Sequence, residues 1–142
     1  MIDFEECLSA GLIKRITPSQ NQAEEQFIKA QTLFEEAKES MKIENPNSTV
    51  IASYAALLDA SRAIMFKDGY REKSHACVVK YLEAKYPDEI GMDTIYLLDQ
   101  YRDRRHKTLY SGSYYPTMQE AEQMISFTEK FLEKIEKILK KS

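Results

Sequence analysis

The chain is poor in the residues that punctuate, staple or metallate small folds. Four glycines and four prolines in 142 residues leave little material for the many turns of an all-β fold. Tryptophan is absent, and the two histidines, His75 and His106, lie far apart. Neither has a carboxylate pair at ligand spacing, so no metal is expected. There is no Gly-rich phosphate loop, Ser/His/Asp order or nucleophile elbow, and no cofactor is expected. Cys7 and Cys77 stand alone, without a CxxC pair. They read as two separate, inert thiols in a reducing compartment, not as a disulfide framework. No stretch approaches about eighteen consecutive apolar residues, which argues against a membrane span. The start, MIDFEECLSAGLIKR, is acidic first and basic later, unlike a secretory signal. A cytoplasmic protein with no membrane partner is the resulting expectation.

What is present suits one soluble-type domain over residues 1–142, with 1–16 as an N-terminal extension or short helix. The chain is 43% hydrophobic and 30% charged, ordinary for a globular domain able to bury a core. Its formal net charge is −3. Any contact with nucleic acid must therefore come from a local patch.

Helical periodicity dominates. A short leading helix is expected from about Asp3 to Lys14. In "TPSQ", Thr17 is a candidate cap, Pro18 suits the first helical position and Gln20 completes a capping box. Beyond it Ala23, Phe27, Ala30, Phe34, Ala37 and Met41 form one apolar seam of a helix reaching about Ile43. "ENPNST" (Glu44 to Thr49) breaks the chain. "VIASYAALLDASRAIMF" is apolar almost all round, as a central helix is, and Gly69 in "KDGY" is placed to cap its end. Ser74 is placed to cap a fourth helix presenting His75, Val78, Val79, Leu82 and Tyr86 to one side. After "YPDEIGMD", a fifth carries Ile95, Leu97, Leu98 and Tyr101 and runs into a basic cluster, which "SGSYYP" ends. "TMQE" (Thr117 to Glu120) is a capping box for the last helix, apolar at Ala121, Met124, Ile125, Thr128, Phe131, Leu132, Ile135, Ile138 and Leu139. Glu133–Lys137 and Glu136–Lys140 pairs would support its outer face. No strand is expected. The fold class is all-α: an antiparallel up-and-down bundle of four to five long helices with a short N-terminal helix.

The basic cluster is the main chemical feature. Arg102, Arg104, Arg105 and Lys107 against Asp103 leave a local charge of +3. On a continuous helix Arg102, His106 and Tyr110 stack on one face, a column of donors able to bind phosphate. On position alone, cations near a helix C-terminus are the simpler account, since they complement the dipole. His106 is a candidate general base, as imidazole titrates near neutrality. His75 reads more simply as a helix-start or core histidine. Tyr110, Tyr114 and Tyr115 would suit base stacking or a protein interface equally.

Three stretches together resemble the HEPN family, small helical domains often encoded beside minimal nucleotidyltransferases. "SYAALLDASRAIMFKDGY" (Ser53 to Tyr70) is similar to the family's central helix and following glycine. "KSHACVVKYL" (Lys73 to Leu82) is similar to its Ser-His helix start. "RRHKTLYSG" (Arg104 to Gly112), with the helix after it, is similar to its arginine motif and last helix. The resemblance covers roughly residues 20 to 140. It implies an antiparallel bundle that is usually a homodimer. Active relatives are metal-independent ribonucleases, often toxins, whose motif is an arginine, four to six residues, then a histidine. Arg105 matches that arginine, while Tyr110 fills the histidine slot and His106 follows Arg105 directly. A tyrosine hydroxyl, titrating near pH 10, is a weak base at neutrality but a good phosphate donor. Some toxin relatives carry a further tyrosine that a partner nucleotidyltransferase modifies with AMP; Gly112 stands there instead.

The expected function is therefore a HEPN-like dimer with little or no catalysis. It would bind a nucleotide or RNA phosphate, or a nucleotidyltransferase partner, through Arg102, Arg105, His106 and Tyr110. Arg105, Tyr110 and His106 are the catalytic candidates if the protein is an enzyme, which would be a metal-independent endoribonuclease toxin. A purely structural interaction protein is the third alternative. Arg105 and Tyr110 lie about 140° apart on a straight helix. A shared ligand requires either that the helix end between them or that a second subunit complete the site.

Overall fold

The computed structural model describes residues 2–110, 112 and 115–141, with every side chain in that range except that of Thr108. Seven helices and two short strands follow in the order α1 (Phe4–Ser9), β1 (Ile13–Arg15), α2 (Gln20–Lys42), α3 (Pro46–Asp68), β2 (Tyr70–Glu72), α4 (His75–Lys85), α5 (Pro87–Ile90), α6 (Met92–Tyr110) and α7 (Met118–Lys140). The five long helices stand where the apolar periodicity places them. The all-α bundle is the observed architecture, with only a two-stranded sheet beside it.

α3 is the centre. It packs on α2, α4, α6, α7 and β2, and Leu57, Ile64 and Met65 are wholly buried. Each such side chain contributes roughly 1.5–3 kcal/mol by leaving water. α3 is also long and apolar enough to cross a membrane, but most of it is buried inside the protein, as an interior helix is. The α2 seam is buried at Ala23, Phe27, Ala30, Phe34 and Ala37. α7 buries its predicted face and starts in a two-way capping box: Thr117 Oγ1 accepts from Glu120 N, and Glu120 Oε1 accepts from Thr117 N. Of the two outer ion pairs expected on α7, Glu136–Lys140 forms at 3.7 Å.

Several local expectations are corrected. The leading helix stops at Ser9, because Gly11, with φ 73°, turns the chain so that Ile13–Arg15 can pair antiparallel with Tyr70–Glu72. Strands of three residues are too short to show alternation in sequence. α2 begins at Gln20 under Ser19, whose hydroxyl accepts from Gln22 N at 3.1 Å. The Thr17–Pro18 stretch is instead held extended between Ile16 N to Gly69 O and Ser19 N to Phe66 O bonds. The break before α3 is shorter than predicted, with Asn45 capping and Pro46 already helical. "YPDEIGMD" contains the one-turn α5, and Leu97 is exposed on α6. Finally, Cys7 and Cys77 are not separate thiols but a disulfide joining α1 to the first turn of α4. Spacing in sequence carried no sign of it, and the thiol-based case for a reducing compartment falls with it.

Two further ties fix α4. The Tyr81 and Tyr86 hydroxyls both donate to Asp68 Oδ2 at the end of α3. Burial first, and then the Asp68 carboxylate, raise both phenol pKa values well above the usual tyrosine range.

Candidate functional site

α4 begins where α6 passes α3, and a cleft of about 210 Å³ opens there. Tyr54 of α3, Ser74, His75 and Ala76 at the α4 start, and Arg102, Arg105 and His106 of α6 line it. One helical turn separates Arg102 from His106, and Arg105 lies on the same side. The basic cluster is thereby divided. Arg104 turns away, over the Tyr101 ring at 5.4 Å, and Lys107 pairs with Asp103 at 3.2 Å on the solvent side.

Arg105 is the distinctive group. Its guanidinium lies 5.4 Å from the centre of the Tyr54 ring. Its Nε is buried without a hydrogen-bond partner, and none of the ion pairs among the described residues includes it. A cation over an aromatic face gains about 0.5–2 kcal/mol, which helps hold it in place without a carboxylate. Arg102 is anchored differently, donating from Nε to Asp99 Oδ1 at 2.8 Å. Tyr54 is 3% exposed. Burial pushes its hydroxyl up to about 12, against the opposing pull of Arg102 and Arg105, so it stays protonated.

The opposite wall is the start of α4. Cys77 N and Val78 N bond back to Ser74 O, and the N–H groups of His75 and Ala76 precede any intrahelical acceptor. They form the positive end of the helix dipole. The Ser74 side chain caps none of them. The His75 ring sits 6.1 Å from that of Tyr54. Burial, followed by the Arg62 charge, lowers the His75 pKa; Glu72 opposes this, while Arg105 and Arg102 add to it. His75 is thus a neutral imidazole at pH 7, facing two arginines.

α6 is continuous through Tyr110, so the first route to a shared site, a helix end between Arg105 and Tyr110, is excluded. Tyr110 is 73% exposed and outside the cleft lining, with its ring 4.8 Å from that of His106. Of the sequence candidates, the cleft therefore brings together Arg102, Arg105 and His106. It adds Tyr54, Ser74 and His75, which sequence reasoning assigned to the core or to capping. Tyr114 lies outside the described residues; Tyr115 is exposed. Among the described residues no three His, Cys, Asp or Glu side chains gather as metal ligands.

The model of the HEPN domain matches residues 23–138. The chain belongs to the HEPN domain family. No curated protein matches it. The three stretches that resembled the family fall in α3, α4 and α6, and in this HEPN chain those helices build the cleft.

Proposed function

We propose that this HEPN protein binds a phosphate group of a nucleotide or RNA in the α4–α6 cleft, with weak or no catalysis. The observation that carries this is Arg105, a guanidinium held in a cleft with no carboxylate partner, opposite the free N–H groups of a helix start. Arginine presents a planar fork that fits two phosphate oxygens, and the helix dipole adds attraction for the same charge. Arg102 and His106 supply further donors. Tyr110, exposed beside His106 and outside the cleft lining, would contact only a part of the ligand that extends beyond the cleft.

A second reading has its own support. A neutral imidazole at His75, and His106 in the same cleft, share it with cations able to stabilise charge on phosphate oxygens. That is the inventory of a metal-independent ribonuclease. The family's usual homodimer, or a nucleotidyltransferase partner, would meet the exposed apolar side chains Tyr96, Leu97, Leu109, Tyr110 and Tyr115.

One set of samples tests these readings. AMP and a short single-stranded RNA are titrated calorimetrically into wild type and Arg105→Ala in chelator, with light scattering for oligomeric state and gels for RNA integrity. Arg105→Ala should weaken both ligands by roughly ten- to a hundredfold, as loss of a charged hydrogen bond implies. Unchanged affinities would overturn the phosphate reading. Cleavage that persists in chelator and disappears in His75→Ala or His106→Ala would replace binding with catalysis.

A further inference from the structure

The two-stranded sheet has an unusual outer face. Ile13, Tyr70 and Glu72 point inward and are buried, while Lys14 and Arg71 are exposed and directly opposite each other in register. Lys73 N bonds to Leu12 O at 2.8 Å, so the pairing continues, and alternation puts the Lys73 side chain on the Arg71 side. The Lys14 ammonium beside Lys73, with Arg71 adding, depresses the Lys73 pKa. Like charges across a strand pair destabilise it. Glu72, between Arg71 and Lys73 in sequence, faces inward and is held by Arg62 at 2.7 Å. None of the ion pairs among the described residues includes Lys14, Lys29, Arg71 or Lys73.

Beside this face is a shallow cleft of about 290 Å³ lined by Gln26, Lys29, Arg62, Phe66, Arg71 and Glu72. Two observations link this side of the molecule to the α4–α6 cleft. Lys73 immediately precedes Ser74, a wall residue of that cleft, and successive Cα atoms are about 3.8 Å apart. The Arg62–Glu72 pair lines the sheet-side cleft, and both of its charges act on His75 in the other. The cations at the sheet, Lys14, Lys29, Arg71 and Lys73, and those in the cleft, Arg102 and Arg105, are thus linked through the Lys73–His75 segment, on a chain whose net charge is −3.

We infer that the outer face of the sheet is a second anion-contact surface, continuous with the α4–α6 cleft, and that the ligand spanning both is a chain of linked phosphates. The inference rests on the phosphate reading of that cleft. A mononucleotide occupies one end, whereas a strand follows both. Lysines suit the sheet end, because a flexible point charge tracks a phosphate backbone without demanding one orientation. Single-stranded RNA and inorganic polyphosphate share this chemistry.

The test compares the triple variant Lys14→Gln, Arg71→Gln, Lys73→Gln with Arg105→Ala. The probes are AMP, a labelled oligouridine long enough to span both surfaces, and inorganic polyphosphate as competitor, all in chelator. The triple variant should bind oligouridine about tenfold more weakly, with a log–log salt slope shallower by roughly 2, about 0.7 for each lost phosphate contact. Its AMP affinity should be unchanged and its melting temperature no lower, since a like-charge cluster has been relieved. Unaltered oligouridine affinity and slope, with Arg105→Ala still weakening both ligands, would overturn the sheet surface and leave the cleft standing. Loss of oligouridine in the triple variant, with Arg105→Ala silent on both ligands, would instead overturn the cleft reading and the continuity. Competition by polyphosphate at equal charge would show that the phosphate chain suffices; failure to compete would assign the strand to nucleic acid.

Discussion

His75 gives the cleft its pH behaviour at the scale of single residues. Its pKa is lowered from 6.5 in the folded chain, chiefly by burial. On acidification the unfolded chain therefore takes up a proton first, near pH 6.5. The stability that the neutral imidazole secures is complete above that pH and is lost as pH falls toward the lowered folded value. Thermal melts from pH 7.5 to pH 5 should show wild type losing more melting temperature than His75→Gln; parallel curves would mean the acid sensitivity arises elsewhere. The sequence displayed this histidine beside Val79 and Leu82 on the apolar side of its helix, so a core assignment was natural. Its other neighbours, Tyr54, Arg102 and Arg105, come from helices distant in sequence, and no local period can reveal them. Arg102, Arg105 and His106 were legible because one helix carries all three.

Among elements, the junction of α3 and β2 shows how a local signal can be read without its reason. Gly69 was recognisable as a helix terminator, and it does end α3 in the left-handed region at φ 91°. The structure adds that a Cβ there would lie 2.8 Å from both Ile16 O and Pro18 Cγ. The glycine thus also admits the strand connection that displaces the predicted start of α2. Gly69→Ala should cost about 1–3 kcal/mol, from backbone strain and the clash together, measured as a lower urea midpoint with unchanged slope. A stability loss, midpoint shift times slope, below about 0.3 kcal/mol would mean that residues 16–18 move aside freely. The long helices were readable because each repeats its apolar period over many turns. β1 and β2, with three residues each, are defined by pairing with each other, which local sequence does not encode.

For the molecule as a whole, the Cys7–Cys77 disulfide is a covalent constraint set within the core, where both cysteines are buried. It spans 70 residues of sequence, and loop closure of that length stabilises by roughly 4 kcal/mol in the chain-entropy account. Cys7→Ala/Cys77→Ala should lower the denaturant-derived stability by about 2–4 kcal/mol, with wild type in strong reductant after unfolding and refolding behaving alike. Equal stability of the oxidised and reduced chains would show that packing of α1 on α4 does the work alone. Two cysteines so far apart give no spacing pattern, so the pairing became visible only once α1 and α4 were adjacent.

The sheet and the disulfide have a shared consequence for where this HEPN domain can be cut. The family match starts at residue 23, beyond both Cys7 and β1. A chain trimmed to the matched residues would keep Cys77 without its mate and leave β2 with an unpaired edge. Both defects recruit another chain, one by thiol oxidation and the other by strand addition. The first sixteen residues, outside the part that defines the family, are in effect a cover that keeps the start of α4 from becoming adhesive.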